Sequence, residues 1–129
     1  MKKLSSEHGV LVRSVCADYY MTQRLISSDG RTNANTASHF RWLVEQIKKL
    51  NARYVILPFV DSSSLLSPAE QEGLLSFLEQ SLPFLEQMNV EVHLETDFPP
   101  KVFKTILDRL DHPLLRVNYD IGNSASLGY

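Results

Sequence analysis

The sequence has one cysteine, Cys16, so an internal disulfide is impossible and a reducing, cytoplasmic compartment fits. It has no cluster of Lys and Arg. Its 13 basic residues are set against 15 acidic ones, for a formal net charge of −2. A surface that neutralises phosphates needs such a cluster, so no nucleic-acid partner is expected. No apolar run approaches the roughly 20 residues that cross a bilayer, so no membrane partner is expected either. No apolar h-region follows Met1-Lys2-Lys3-Leu4-Ser5, so a secretory signal is not expected. Low-complexity tracts and short repeats are missing as well.

What is present is an ordinary globular composition. The chain has 129 residues, 43% apolar and 22% charged, enough for one domain with one modest core. β-Rich runs from Val10 to Cys16, Tyr54 to Val60, Val90 to Glu95 and Leu115 to Asp120 alternate with helical segments. Phe40, Leu43, Val44, Ile47 and Leu50 recur at helical spacing. Ser67-Pro68-Ala69-Glu70 is a capping box with Pro at the first helical position. It opens a helix with Leu74, Leu78, Leu82 and Leu85 on one face, and Pro83 predicts a kink in it. A last helix starts near Pro99-Pro100 and carries Val102, Phe103, Ile106, Leu107 and Leu110.

Strand and helix in alternation predict an α/β fold with a parallel sheet and right-handed crossovers. The long connection from Ala17 to about Asn35 contains the turn signal Ser27-Ser28-Asp29-Gly30, and loops of that length after a strand are where such proteins usually carry function. The third strand sets Val90, Val92 and Leu94 against Glu91, His93 and Glu95; the fourth sets Leu115, Val117 and Tyr119 against Arg116, Asn118 and Asp120. A doubly wound sheet buries both faces. One apolar and one polar face fits a barrel wall better, with Glu91 and Arg116 as an interior pair. Closing a parallel barrel normally takes eight strands and about 250 residues. The expectation is therefore a single partial TIM-barrel domain over residues 1–129, truncated at both ends and finishing at Tyr129 in a strand-end loop without a covering helix.

Active sites of such folds lie at the carboxyl ends of the strands. Asp18, Asp61, Glu95, Asp97, Asp120 and Asn123 fall there. Glu95 and Asp120 end consecutive strands on one face and could share a divalent cation; oxygen ligands suit Mg²⁺ or Mn²⁺, and an added imidazole favours Mn²⁺, Co²⁺ or Zn²⁺. Equally, they could be solvated strand-end acids, or a cap on a following helix. Asp18 either faces the pocket or caps the next turn. The stretch Gly122 to Ser126 reads locally as an ordinary loop. His93 reads as a hydrogen-bonded core residue, His8, His39 and His112 as surface residues, and Cys16 as a small buried residue without an activating partner.

His93-Leu94-Glu95-Thr96-Asp97 with Pro99-Pro100, and Val117-Asn118-Tyr119-Asp120-Ile121-Gly122-Asn123-Ser124-Ala125-Ser126-Leu127-Gly128-Tyr129, resemble the xylose-isomerase-like barrel family of sugar and sugar-phosphate isomerases and epimerases. Ser14 to Met21 and Leu57 to Asp61 also look like strand ends of that family. The resemblance covers almost the whole chain and would make its strands the third to sixth of eight. It implies a metal held by Glu95 and Asp120. It also implies proton transfer next to a carbonyl, with Glu95 as one of two acid/base carboxylates, and a small sugar or sugar phosphate as substrate. Many relatives carry a His three residues after the metal-binding Asp. Here Asn123 stands in its place, an amide that can hydrogen-bond a sugar hydroxyl but does not titrate near neutral pH. The family takes a His ligand and a second Glu from strands seven and eight, which this chain lacks. Two other outcomes are open: a non-catalytic half-barrel that associates with itself or a complementary chain through open sheet edges, or a metal-dependent endonuclease-like barrel, disfavoured by the lack of a basic surface.

Overall fold

The structure is a computed structural model and describes residues 1–128; Tyr129, the expected end of the strand-end loop, lies outside the described residues. Four strands, β1 (Ser14–Cys16), β2 (Tyr54–Phe59), β3 (Glu91–Thr96) and β4 (Leu115–Val117), form one sheet in the order β1-β2-β3-β4. All three neighbouring pairs are parallel. The helices are α1 (Lys2–Glu7), α2 (Tyr19–Thr22), α3 (Ala34–Leu50), α4 (Pro68–Met88), α5 (Pro100–Leu110) and α6 (Ile121–Ser126). The expected α/β alternation is present; β1, β2 and β4 are shorter than the periodicity suggests, and β3 keeps its length but lies one residue later. No helix among the described residues is long and apolar enough to cross a membrane.

Parallel crossovers take one hand almost without exception. Strands that follow one another in chain order therefore place α3, α4 and α5 on the same face of the sheet. Burial bears this out. Val55, Leu57, Phe59, Val92, Leu94 and Leu115 are buried on one face, while Tyr54, Ile56, Glu91, His93 and Glu95 on the other are only half-buried. Into the covered face α3 sends Phe40, Val44 and Ile47, and α4 sends Leu74, Leu78 and Leu85. On α5 Ile106 alone is buried, with Val102, Phe103, Leu107 and Leu110 packed partly against the core. Two apolar residues expected on the covered face of the last strand are exposed: Val117 is the last residue of the edge strand β4, and Tyr119 lies beyond its end.

Local chemistry sets the helix ends. Ser67 Oγ accepts from Glu70 N–H at 3.2 Å and Glu70 Oε2 accepts from Ser67 N–H at 2.9 Å, the reciprocal capping box predicted from sequence. Arg24 adds a 2.6 Å ion pair to Glu70 Oε1. Burial alone would raise this carboxyl's pKa, but the Ser67 and Arg24 hydrogen bonds hold it below the ordinary value. The helices α3, α4 and α5 stop at Asn51, Asn89 and Asp111, all left-handed with φ of 60°, 53° and 35°. Short Asn and Asp side chains tolerate that conformation, and each of the three turns the chain into the next strand. Helix α4 runs through Pro83 without interruption; Pro83 and Glu79, whose carbonyl loses a partner there, are both on the exposed side.

The long connection after β1 is folded down, not loose. Leu25 and Ile26 are 1% exposed, Ile26 bridges Thr32, and Arg24 also donates to Ser64 O at 2.9 Å. Its turn brings the backbone of Gly30, with φ of +82°, against Ala69 and Gly73 of α4; a Cβ on Gly73 would clash with the Gly30 carbonyl. Gly73→Ala is therefore expected to lower stability by about 1–3 kcal/mol through overpacking. Urea unfolding checks this, and an unchanged midpoint would mean that the loop does not sit on α4.

Candidate functional site

The site is built where β3 and β4 end. Their register pairs His93 with Arg116 and Leu94 with Val117, and Asn118 N–H donates to Leu94 O at 2.9 Å. Glu95 and Asn118 are thus cross-strand neighbours on the face opposite α3, α4 and α5. Asn118 Nδ2 donates to Glu95 Oε2 at 2.7 Å, and Asn123 Nδ2 donates to Glu95 Oε1 at 3.2 Å. Glu95, Asn118 and Asn123 are all half-buried.

Asp120 is exposed and caps α6, its Oδ1 accepting from Gly122 N–H at 2.7 Å and Asn123 N–H at 3.3 Å. Of the roles open to it in the sequence, the helix cap is the one realised within the chain. The segment after β4 is accordingly a short helix, correcting the expected loop. Asn123 touches both acids, Glu95 through its side chain and Asp120 through its backbone. Glu95 and Asp120 are thus linked through Asn123, whose amide, read from sequence as a group for substrate, donates to Glu95.

Asp18 makes no hydrogen bond to that trio among the described residues. It occupies the N-cap position of α2 without a side-chain cap bond and accepts from Cys16 Sγ at 2.9 Å. Cys16 is exposed, against the expectation of a buried residue, because β1 is an edge strand. Partial burial of its sulfur, the Asp18 hydrogen bond and the charges of Asp18 and Glu95 push its thiol up to about 12. Asp97 bonds the Ser64 hydroxyl, and Asp61 is exposed in a 3-10 turn. Among the described residues no three or more His, Cys, Asp and Glu side chains form a group able to hold a metal ion. Of the carboxyl-end acids, Glu95 and Asp120 share Asn123 as a partner, while Asp18, Asp61 and Asp97 make no hydrogen bond to either among the described residues.

At the other end of the same face, the expected Glu91–Arg116 pair is not formed. Arg116 lies opposite His93, while Glu91 lies opposite Tyr54. Glu91 instead bonds His93 Nε2 at 2.9 Å and Arg53 Nε at 3.0 Å. The His93 hydrogen bond first, then Arg53, hold its carboxyl below the ordinary range against a smaller opposing effect of burial. His93 is hydrogen-bonded as expected and stacks on Tyr54 at 3.9 Å. His39 and His112 are half-buried, correcting the surface assignment: His39 meets the Tyr20 hydroxyl at 3.0 Å and His112 meets Glu86 at 3.1 Å.

Asn118 was not singled out from sequence as a site residue, although its face was assigned correctly. The signal was the register, which sets it opposite Glu95 and which no single strand reveals. No protein-family model and no curated protein matches the chain. A thiol pushed up to about 12 is thiolate in only about 10⁻⁴ of molecules at pH 8, so exposed Cys16 should alkylate slowly with iodoacetamide at that pH. Asp18→Ala removes an acceptor and a charge that both raise the value, and should speed the reaction roughly tenfold, about one pKa unit. Equal rates in the two proteins would remove Asp18 from the account.

Proposed function

We propose that the chain is a portion of a xylose-isomerase-like parallel β/α barrel acting as a sugar or sugar-phosphate isomerase or epimerase. The observation that carries this reading is the Glu95 carboxylate, half-buried at a strand end, clasped by two neutral amides and tied through Asn123 to Asp120. A sheet with strands in sequential order and helices on one face supports a barrel wall, because an open doubly wound sheet reverses its order and covers both faces.

The donors present suit a hard divalent cation such as Mg²⁺ or Mn²⁺ in kind. A carboxylate oxygen has two acceptor directions, so each Glu95 oxygen keeps one beside its amide bond, and Asp120 keeps Oδ2 while Oδ1 caps α6. Glu95 and Asp120 would hold the ion, which would polarise a substrate carbonyl. Glu95 would take or return the proton at the adjacent carbon. Two carboxylates are an incomplete ligand set, and in this reading the rest comes from further strands.

Thermal unfolding with and without excess Mn²⁺ tests the site. Saturation 100-fold above the dissociation constant adds about 2.7 kcal/mol, a shift on the order of 10 °C for a chain of this size. The shift should be present in the native chain and absent in Glu95→Gln. No response in the native chain would sink the reading for this chain by itself.

The second reading, a non-catalytic half-barrel, is favoured by the sheet edges. Among the described residues, β1 and β4 each pair on one side only, and Val117, Tyr119 and Ile121 beside the β4 edge are 42%, 69% and 73% exposed. Unpaired edges invite association. In a parallel pair alternate residues bond one neighbour, so with Asn118 N–H bound to β3 the Val117 N–H faces outward. Val117→Pro removes that donor and leaves the β3–β4 ladder intact. Light scattering should show the native chain associating and the variant shifted towards monomer; a native chain that stays monomeric at high concentration would rule this reading out.

A further inference from the structure

We infer that Asn118 and Asn123 are positioning residues for Glu95, holding its carboxylate at the strand-end mouth without themselves taking part as ligands or acid/base groups. This rests on the Glu95–Asp120 reading above, which it extends to residues outside the cation set. An ionised carboxylate only accepts hydrogen bonds, so the two amides must turn their N–H groups toward it. Each takes a different oxygen, Asn118 taking Oε2 and Asn123 taking Oε1. Rotation of the carboxyl group would break both bonds together, so its plane is fixed at two points.

The clamp is anchored on both sides. Asn118 is set by its backbone N–H bond to Leu94 O, on the residue preceding Glu95. Asn123 is set by its backbone N–H bond to Asp120 Oδ1. Among the described residues, neither side-chain amide donates to any group other than Glu95. The three side chains are half-buried, where hydrogen bonds to a charged group are strengthened by the lower local dielectric. Neutral donors orient the carboxylate but leave its charge uncancelled, and the second acceptor direction on each oxygen remains for another ligand.

The test titrates Mn²⁺ into the native chain, Glu95→Gln, Asn118→Ala and Asn123→Ala, with Leu115→Ala as a control that destabilises β4 through a buried apolar residue. Loss of a hydrogen bond behind a metal ligand typically costs 10- to 100-fold in affinity. Asn118→Ala and Asn123→Ala should each weaken Mn²⁺ binding by about that factor, Leu115→Ala should not, and Asn118→Ala should add nothing to Glu95→Gln. Native affinity in both Asn variants would overturn the inference.

A metal-free double-mutant cycle separates the two ideas. The Tm losses of Asn118→Ala and Glu95→Gln should be non-additive in the double variant. Absence of Mn²⁺ binding in the native chain together with non-additive losses would remove the isomerase reading and keep the clamp. Additive losses would remove the clamp.

Discussion

The parallel pairing of strands in chain order is the constraint on which the rest of this structure depends. It places every strand's carboxyl end at one edge of the sheet and, with crossovers of one hand, every long helix on one face. One face is then free to be wholly apolar and the other to carry charge. The register follows from the buried face. A slip of one residue would turn Val92 and Leu94 out of the core and His93 and Glu95 into it, so the apolar packing of α3 and α4 also fixes which polar groups meet. Glu95 faces Asn118 because Leu94 is locked beside Val117, and Arg116 misses Glu91 for the same reason.

The connections show a second constraint at work. A helix that must return its chain to a neighbouring strand within a few residues needs an abrupt reversal. Asn51, Asn89 and Asp111 each supply one in the left-handed region. On the opposite side, the connection after β1 is held down by Gly30 against α4, by Arg24 on Glu70 and by two buried apolar residues. Its length suggested a functional loop. Its interactions are those of a structural cover over the start of α4.

The main elements were legible because their periodicities are unambiguous: alternation in the third strand, the stripe from Phe40 to Leu50, and the capping box at Ser67. The short helices α1, α2 and α6 were not, since four to six residues carry too few turns to establish a stripe. The placement of Glu95, Asp120 and Asn123 at the carboxyl ends of the strands was legible. Their bonding was not. Whether Asp120 caps a helix depends on α6 existing, and whether Asn123 meets substrate or Glu95 depends on where that helix points. Asn118 became visible only once two strands were set in register.

Glu91 and Glu95 make the sharpest contrast in the molecule. They are the same residue type, four positions apart on one strand and one face, and both are half-buried. Glu91 is paired with the guanidinium of Arg53 and with His93, cationic or potentially cationic groups that cancel its charge in place. Among the described residues Glu95 has only the two amides, which satisfy its oxygens and contribute no positive charge. A carboxylate whose sole task is to hold strands together is better served by a cationic partner, because an uncompensated charge away from bulk water costs free energy. In the reading proposed above, orientation without neutralisation keeps this carboxylate ready for a positive partner from outside the chain, at the carboxyl end of the strands, where parallel β/α proteins place their chemistry.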